Sequence, residues 1–127
     1  MDALNQYHSG RFSEAIIIAN VSLEAFVEEF LLQKFLAEGK TNKEASDAVD
    51  RLVEGKRFRT TMKQAFFESM TDQNRKDHAI WKKIMHVRTK RKEVVHPHVK
   101  RAEQAEAYEV LAKIIDIRKW ILNLSRQ

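Results

Sequence analysis

Apolar residues recur at helical spacing along almost the whole chain. Phe12, Ala15, Ile16, Ala19, Leu23, Phe26, Val27, Phe30 and Leu31 fall three or four positions apart. This spacing predicts a long helix over about 12–37 with one broad buried face. Ile17, Ile18 and Val21 widen that face beyond a single stripe, so this helix is expected to be central in a bundle or shared with a second protein surface. A short lead-in helix is expected over 2–8, ended by Ser9-Gly10, and Gly39 is a natural stop for the long helix. Thr41-x-x-Glu44 has the capping-box pattern and predicts a helix through about 53, broken by Gly55. A helix over 58–69 would bury Phe58, Met62, Phe66 and Met70, and Thr71-Asp72-Gln73-Asn74 reads as a loop.

The next helix is expected over 75–95, with Ile80, Trp81, Ile84, Met85, Val87 and Val95 inward. Pro97 must end it, because proline disfavours helical geometry in the residue before it and clashes with the preceding turn. The last helix, about 101–124, would turn Ala105, Tyr108, Leu111, Ala112, Ile115 and Leu122 to one side. With three glycines and one proline there is little of the punctuation that an all-β fold needs. The expectation is an all-α, four- to five-helix, up-and-down bundle, forming a single domain over 1–127 with short connections.

Composition adds exclusions. At 127 residues the chain can bury its own core, and without cysteine it can form neither a disulfide framework nor a thiolate zinc site. No apolar run approaches the roughly 18 residues of a membrane span, and Met1-Asp2-Ala3-Leu4 lacks the basic-then-apolar build of a secretory signal. A cytoplasmic location and no membrane partner are expected.

The net charge of +5 is unevenly spread. Residues 1–50 carry 4 Lys/Arg against 9 Asp/Glu, residues 51–101 carry 15 against 5, and residues 102–127 carry 4 of each. The basic stretch includes Lys56-Arg57-Phe58-Arg59, Arg75-Lys76, Lys82-Lys83 and Arg88-Thr89-Lys90-Arg91-Lys92. Such a block suits RNA, DNA or another polyanion, and it equally suits a solvated charged face.

Within that block, Arg91-Lys92-Glu93-Val94-Val95-His96-Pro97 combines two groups with defined chemistry. Arginine grips phosphate through a planar, permanently charged fork. Histidine moves protons near neutral pH. RNA cleavage by the 2′-hydroxyl needs a base, an acid and positive charge on the phosphate, and these can be supplied without a metal. Residues five apart on a helix are separated by roughly 140° and about 7.5 Å of rise, so Arg91 and His96 would border a shallow groove. One such pair supplies only half the equipment. Two copies meeting about a two-fold axis would give a composite cleft with both proton roles, so a homodimer is expected. The same spacing also arises by chance in basic helices.

The surroundings of this motif resemble a known family. Trp81, then Arg91 through Pro97, then an alanine-rich helix from Ala102 through Ile115 to Trp120, look like the last two helices of HEPN domains. Gly10-Arg11-Phe12-Ser13-Glu14-Ala15 leading to Leu23-Glu24-Ala25-Phe26 is similar to that family's opening helix, where a glutamate commonly sits mid-helix. The resemblance covers about residues 3–124 and is weakest over 40–75. It implies a dimerising helical bundle in which the residues matching Arg91 and His96 are catalytic and line a metal-independent endoribonuclease cleft. Arg91 would hold the scissile phosphate and His96 would act as general acid/base. Lys92 would add local charge; Lys83, Arg88 and Lys90 would guide the RNA, and His98 would assist. Many catalytic members are toxins of toxin–antitoxin pairs or antiviral RNases, which implies an antitoxin or regulatory partner. Others have lost catalysis and serve as nucleotide-binding, RNA-binding or protein-interaction modules, and that alternative stays open. Two positions depart from the pattern: Lys92 stands where asparagine or another small polar residue is common, and His98 stands where one subgroup carries a modified tyrosine.

Glu24 is expected to point partly inward as structural support and to orient Arg88 or Arg91. Trp81, Tyr108 and Trp120 lie at bundle-facing spacing, which favours packing over base stacking. No metal site is expected: His86, His96 and His98 lack accompanying carboxylates at ligand spacing. No cofactor is expected either, since the chain has no glycine-rich phosphate loop or nucleophile elbow.

Overall fold

The computed structural model describes residues 2–95 and 101–124, and all regular structure among them is helical. The elements are α1 (Asp2–His8), α2 (Phe12–Ala37), α3 (Asn42–Val53), α4 (Phe58–Phe66), α5 (Asp72–Asp77), α6 (Ala79–Val95) and α7 (Gln104–Leu124). The all-α class is as the pattern predicts. The count of four to five helices is not: seven helices occur among the described residues. The largest departure is at 71–74, which the sequence presents as a loop. There the Thr71 hydroxyl accepts the Asn74 amide at 3.1 Å, a helix-capping contact that starts α5. No described helix is long and apolar enough to cross a membrane.

The chain divides into two compact units, one of residues up to Leu23 together with those from Lys76 onward, the other Glu24–Arg75. In the first unit α6 packs on α7, and α1 also packs on α7. Lys83 pairs with Asp116 and Lys90 with Glu106, so residue numbers fall on one helix as they rise on the other and the two helices run antiparallel. Helix α6 buries Ile80, Trp81, Ile84 and Val87, and α7 buries Ala107, Val110, Leu111, Ile114, Ile117 and Ile121. Each fully buried aliphatic side chain contributes about 1.5–3 kcal/mol relative to exposure.

The packed face of α7 is only partly the expected one: Leu111 is buried as predicted. Tyr108, Ile115 and Leu122, expected inward, are 64%, 48% and 43% exposed. Helix α7 carries two apolar stripes one residue apart. The stripe 107-110-114-117-121 is uninterrupted, whereas 108-111-115-118-122 contains Arg118. A buried guanidinium needs a partner, so the charge-free stripe packs. Val95 on α6 and Val21 on α2, also read as apolar-face residues, are exposed. Conversely Asn20 is fully buried among Ile16, Ala19 and Leu23, with its side-chain Nδ2 donating to Ile16 O at 2.9 Å.

In the second unit the capping box of α3 forms as its spacing predicts. Thr41 Oγ1 accepts the Glu44 amide at 3.2 Å while Glu44 Oε1 accepts the Thr41 amide at 3.0 Å. The Thr41 backbone amide foremost, then the Thr41 hydroxyl, hold the Glu44 carboxyl below its ordinary range. Helices α3 and α4 pack together. The buried Thr61 hydroxyl fastens them by donating to Leu52 O at 3.3 Å. Helix α4 is shorter than expected. It ends at Phe66, with Phe67 in a non-helical conformation, so Phe67 becomes the fully buried aromatic while Phe66 is half-buried against Phe30, ring centroids 5.8 Å apart.

Candidate functional site

Helix α6 carries the candidate chemistry and ends at Val95 among the described residues. Its buried positions Ile80, Ile84 and Val87 follow a four-three rhythm, and the next step of four lands on Arg91. An arginine therefore occupies a place where the pattern calls for an apolar side chain. Arg91 is half-buried, and its Nε is buried with no hydrogen-bond partner among the described residues. Among the described residues it makes no ion pair either. A buried donor left unsatisfied costs about 1–3 kcal/mol. Lys92, one position on, is exposed.

The other cations assigned to RNA on α6 are differently placed. Lys83 Nζ donates to Asp116 Oδ2 at 2.8 Å. That lysine holds the Asp116 carboxyl below its ordinary range through hydrogen bond and charge. Lys90 Nζ lies 3.1 Å from Glu106 Oε2 and 3.3 Å from Glu93 Oε2. The hydrogen bond to Glu106 leads the causes that raise its pKa. Glu106 acts twice, since its other oxygen accepts the Glu103 amide at 3.2 Å at the start of α7. Lys83 and Lys90 thus serve as pins between α6 and α7. Arg88 is half-buried and engaged in contacts of its own.

His86 sits between these pins on the same helix. Its Nε2 is 3.7 Å from Glu109 Oε2, and its Nδ1 is buried without a partner among the described residues. Burial first, then the charge of Lys113, lowers its pKa despite the nearby Glu109 carboxylate.

His96 and His98 lie outside the described residues. The next described residues, Arg101 and Ala102, are fastened to the start of α2. Arg101 pairs with Glu14 at 3.1 Å, and the Ala102 amide donates to Ser13 Oγ at 3.0 Å. Glu24 is half-buried and has a partner; it belongs to the unit Glu24–Arg75, whereas Arg88 and Arg91 belong to the other. Trp81 is buried and the half-buried Trp120 packs edge-on against His78 at 5.5 Å, both acting as packing residues. Tyr108 is exposed and does not. Among the described residues no group of three His, Cys, Asp or Glu side chains gathers as a metal site would require.

The placement of Arg91 in the buried stripe is a feature that sequence reading missed, although the four-three rhythm from Ile80 contained it. No family model matches the chain, and neither a curated protein nor a solved structure matches it significantly.

Proposed function

We propose that this chain is a HEPN-like endoribonuclease that works without a metal, as a homodimer with a composite Arg/His cleft. Arg91 neutralises the scissile phosphate. His96 acts as general base toward the 2′-hydroxyl and, from the second copy, as general acid toward the leaving oxygen. Lys92 adds positive charge beside the phosphate. The observation that supports this reading is the unsatisfied Arg91 Nε on the buried stripe of α6. A cation kept there at a cost in stability, five positions before a histidine, fits a ligand that carries negative charge. Lys83 and Lys90 are engaged with α7, so on this reading RNA is guided chiefly by Arg91 and Lys92 on α6.

The test is cleavage of a mixed RNA panel in EDTA by the purified protein beside Arg91→Ala and His96→Ala. Chelator-resistant cleavage that disappears in both variants is expected. Absence of cleavage, with RNA still bound, would replace this reading with the non-catalytic RNA-binding module.

A further inference from the structure

Residues 51–63, at the end of α3, the turn and α4, hold five cations, Arg51, Lys56, Arg57, Arg59 and Lys63, against the single carboxylate Glu54. All five are exposed. Their contacts leave the charge in place. Arg51 Nε donates to Asp47 O at 3.4 Å, and Lys56 Nζ donates to the neutral Gln64 Oε1 at 2.7 Å. Lys63 reaches a carboxylate only at 4.0 Å, that of Asp72. Arg57 and Arg59 make no ion pair or side-chain hydrogen bond with any described residue.

The backbone beneath these cations is well defined. Gly55 takes φ +65°, the left-handed geometry that closes the turn, and the Lys56 amide donates to Val53 O at 3.2 Å. Thr61 ties α4 back to α3. Arg59 and Lys63 are one helical turn apart and form a row along α4, with Lys56 and Arg57 at its head. The first turn of α4 contains no acid and Arg57 provides no side-chain cap, so the positive end of the helix adds to the same field.

We propose that this α3–α4 turn docks the phosphodiester backbone of a nucleic-acid strand, through residues other than Arg91. Two observations favour phosphate over other anions. Three of the five cations are arginines, whose forks match phosphate oxygens. None of the large exposed apolar side chains, Leu4, Val21, Val95, Tyr108, Ile115 and Leu122, belongs to this segment, whereas a membrane or protein surface would recruit them. The choice of RNA as the natural strand rests on the function proposed above; the docking itself does not.

The experiment measures binding of a labelled 20-nucleotide RNA by fluorescence anisotropy across a salt series. The protein carries Arg91→Ala so that no strand is cut. Adding Arg57→Ala and Arg59→Ala is expected to weaken binding severalfold. It should also flatten the slope of log K against log salt by about 1.4, roughly 0.7 for each lost phosphate contact. Lys34→Ala with Lys43→Ala, an equal loss of exposed charge in the same unit, should leave the slope unchanged, and thermal melting checks that both pairs fold. A DNA strand of the same length should bind comparably. Three results would overturn the proposal: a turn variant whose affinity and slope match the parent, DNA that fails to bind, or attachment to anionic vesicles in place of RNA. Absence of cleavage by the chain with Arg91 intact, with turn-dependent binding retained, would remove the nuclease reading alone. Cleavage with turn-independent affinity would remove this one alone.

Discussion

Two basic regions of this chain look alike in sequence and are used in opposite ways. On α6, Lys83 and Lys90 face carboxylates on α7, and the charge is spent on holding two helices in register. At the α3–α4 turn, Arg57 and Arg59 make no ion pair among the described residues. The difference lies in the neighbouring helix. Helix α7 places Glu106, Glu109 and Asp116 along the side that meets α6, whereas the acids of α3, Glu44, Asp47 and Asp50, pair with neither Arg57 nor Arg59 among the described residues. A count of lysines and arginines therefore measures capacity for a polyanion poorly until their partners are known. Arg91 belongs to neither group: it is drawn into the buried stripe without a partner among the described residues.

That third case gives the largest expected effect. If Arg91 is held for a ligand, replacing it with leucine completes the apolar stripe of Ile80, Ile84 and Val87 and removes an unsatisfied buried donor. Arg91→Leu should raise stability by about 1–3 kcal/mol while abolishing cleavage. Urea unfolding of the two proteins, side by side, measures the first effect. A destabilised variant would show that Arg91 supports the fold and would erase the distinction from Lys83 and Lys90.

The middle effect compares the two regions directly. Glu106→Gln removes the nearer of the two carboxylate charges that Lys90 faces and weakens the acceptor at the start of α7. The expected loss is about 1 kcal/mol, seen as a lower melting temperature. Arg57→Ala with Arg59→Ala should change stability by less than about 0.5 kcal/mol, because exposed side chains without partners hold nothing in place. Equal losses at both sites would mean that the turn cations are structural too.

Much of this architecture can be read from the sequence, and the failures share a cause. The limits of α2 and the capping box at Thr41–Glu44 follow from local spacing and local hydrogen bonds, which need no information from elsewhere in the chain. The buried face of α7 does not. Its two stripes have the same rhythm, and the decision falls to one charge, Arg118, on the losing side. The roles of Lys83, Lys90 and Arg91 are equally non-local. The first two depend on which residues α7 presents 16 to 33 positions later in the chain. The third requires knowing that the buried stripe of α6 continues past Val87. The chemistry proposed for His96 rests on the sequence motif, since that residue lies outside the described ones.

The smallest effect is a pH dependence that separates paired from unpaired charge on α6 itself. His86 is enclosed by Glu109 and Lys113 of α7 and by Lys90 and Glu93 of its own helix, and its pKa is lowered chiefly by burial. In the unfolded chain the imidazole regains its ordinary affinity for protons, so below the ordinary imidazole range the unfolded state binds more protons than the folded one. The contribution of His86 to stability is therefore complete above that range. It is lost as pH falls through the ordinary value toward the lowered one. His86→Gln removes this titration and should shallow the decline in melting temperature between about pH 7 and pH 5, relative to the parent chain with its other histidines unchanged. A chemical-shift titration of the His86 ring gives the direct measure, with a midpoint below that of a free imidazole. A raised midpoint would mean that Glu109 outweighs burial and Lys113, making His86 a third cationic pin beside Lys83 and Lys90.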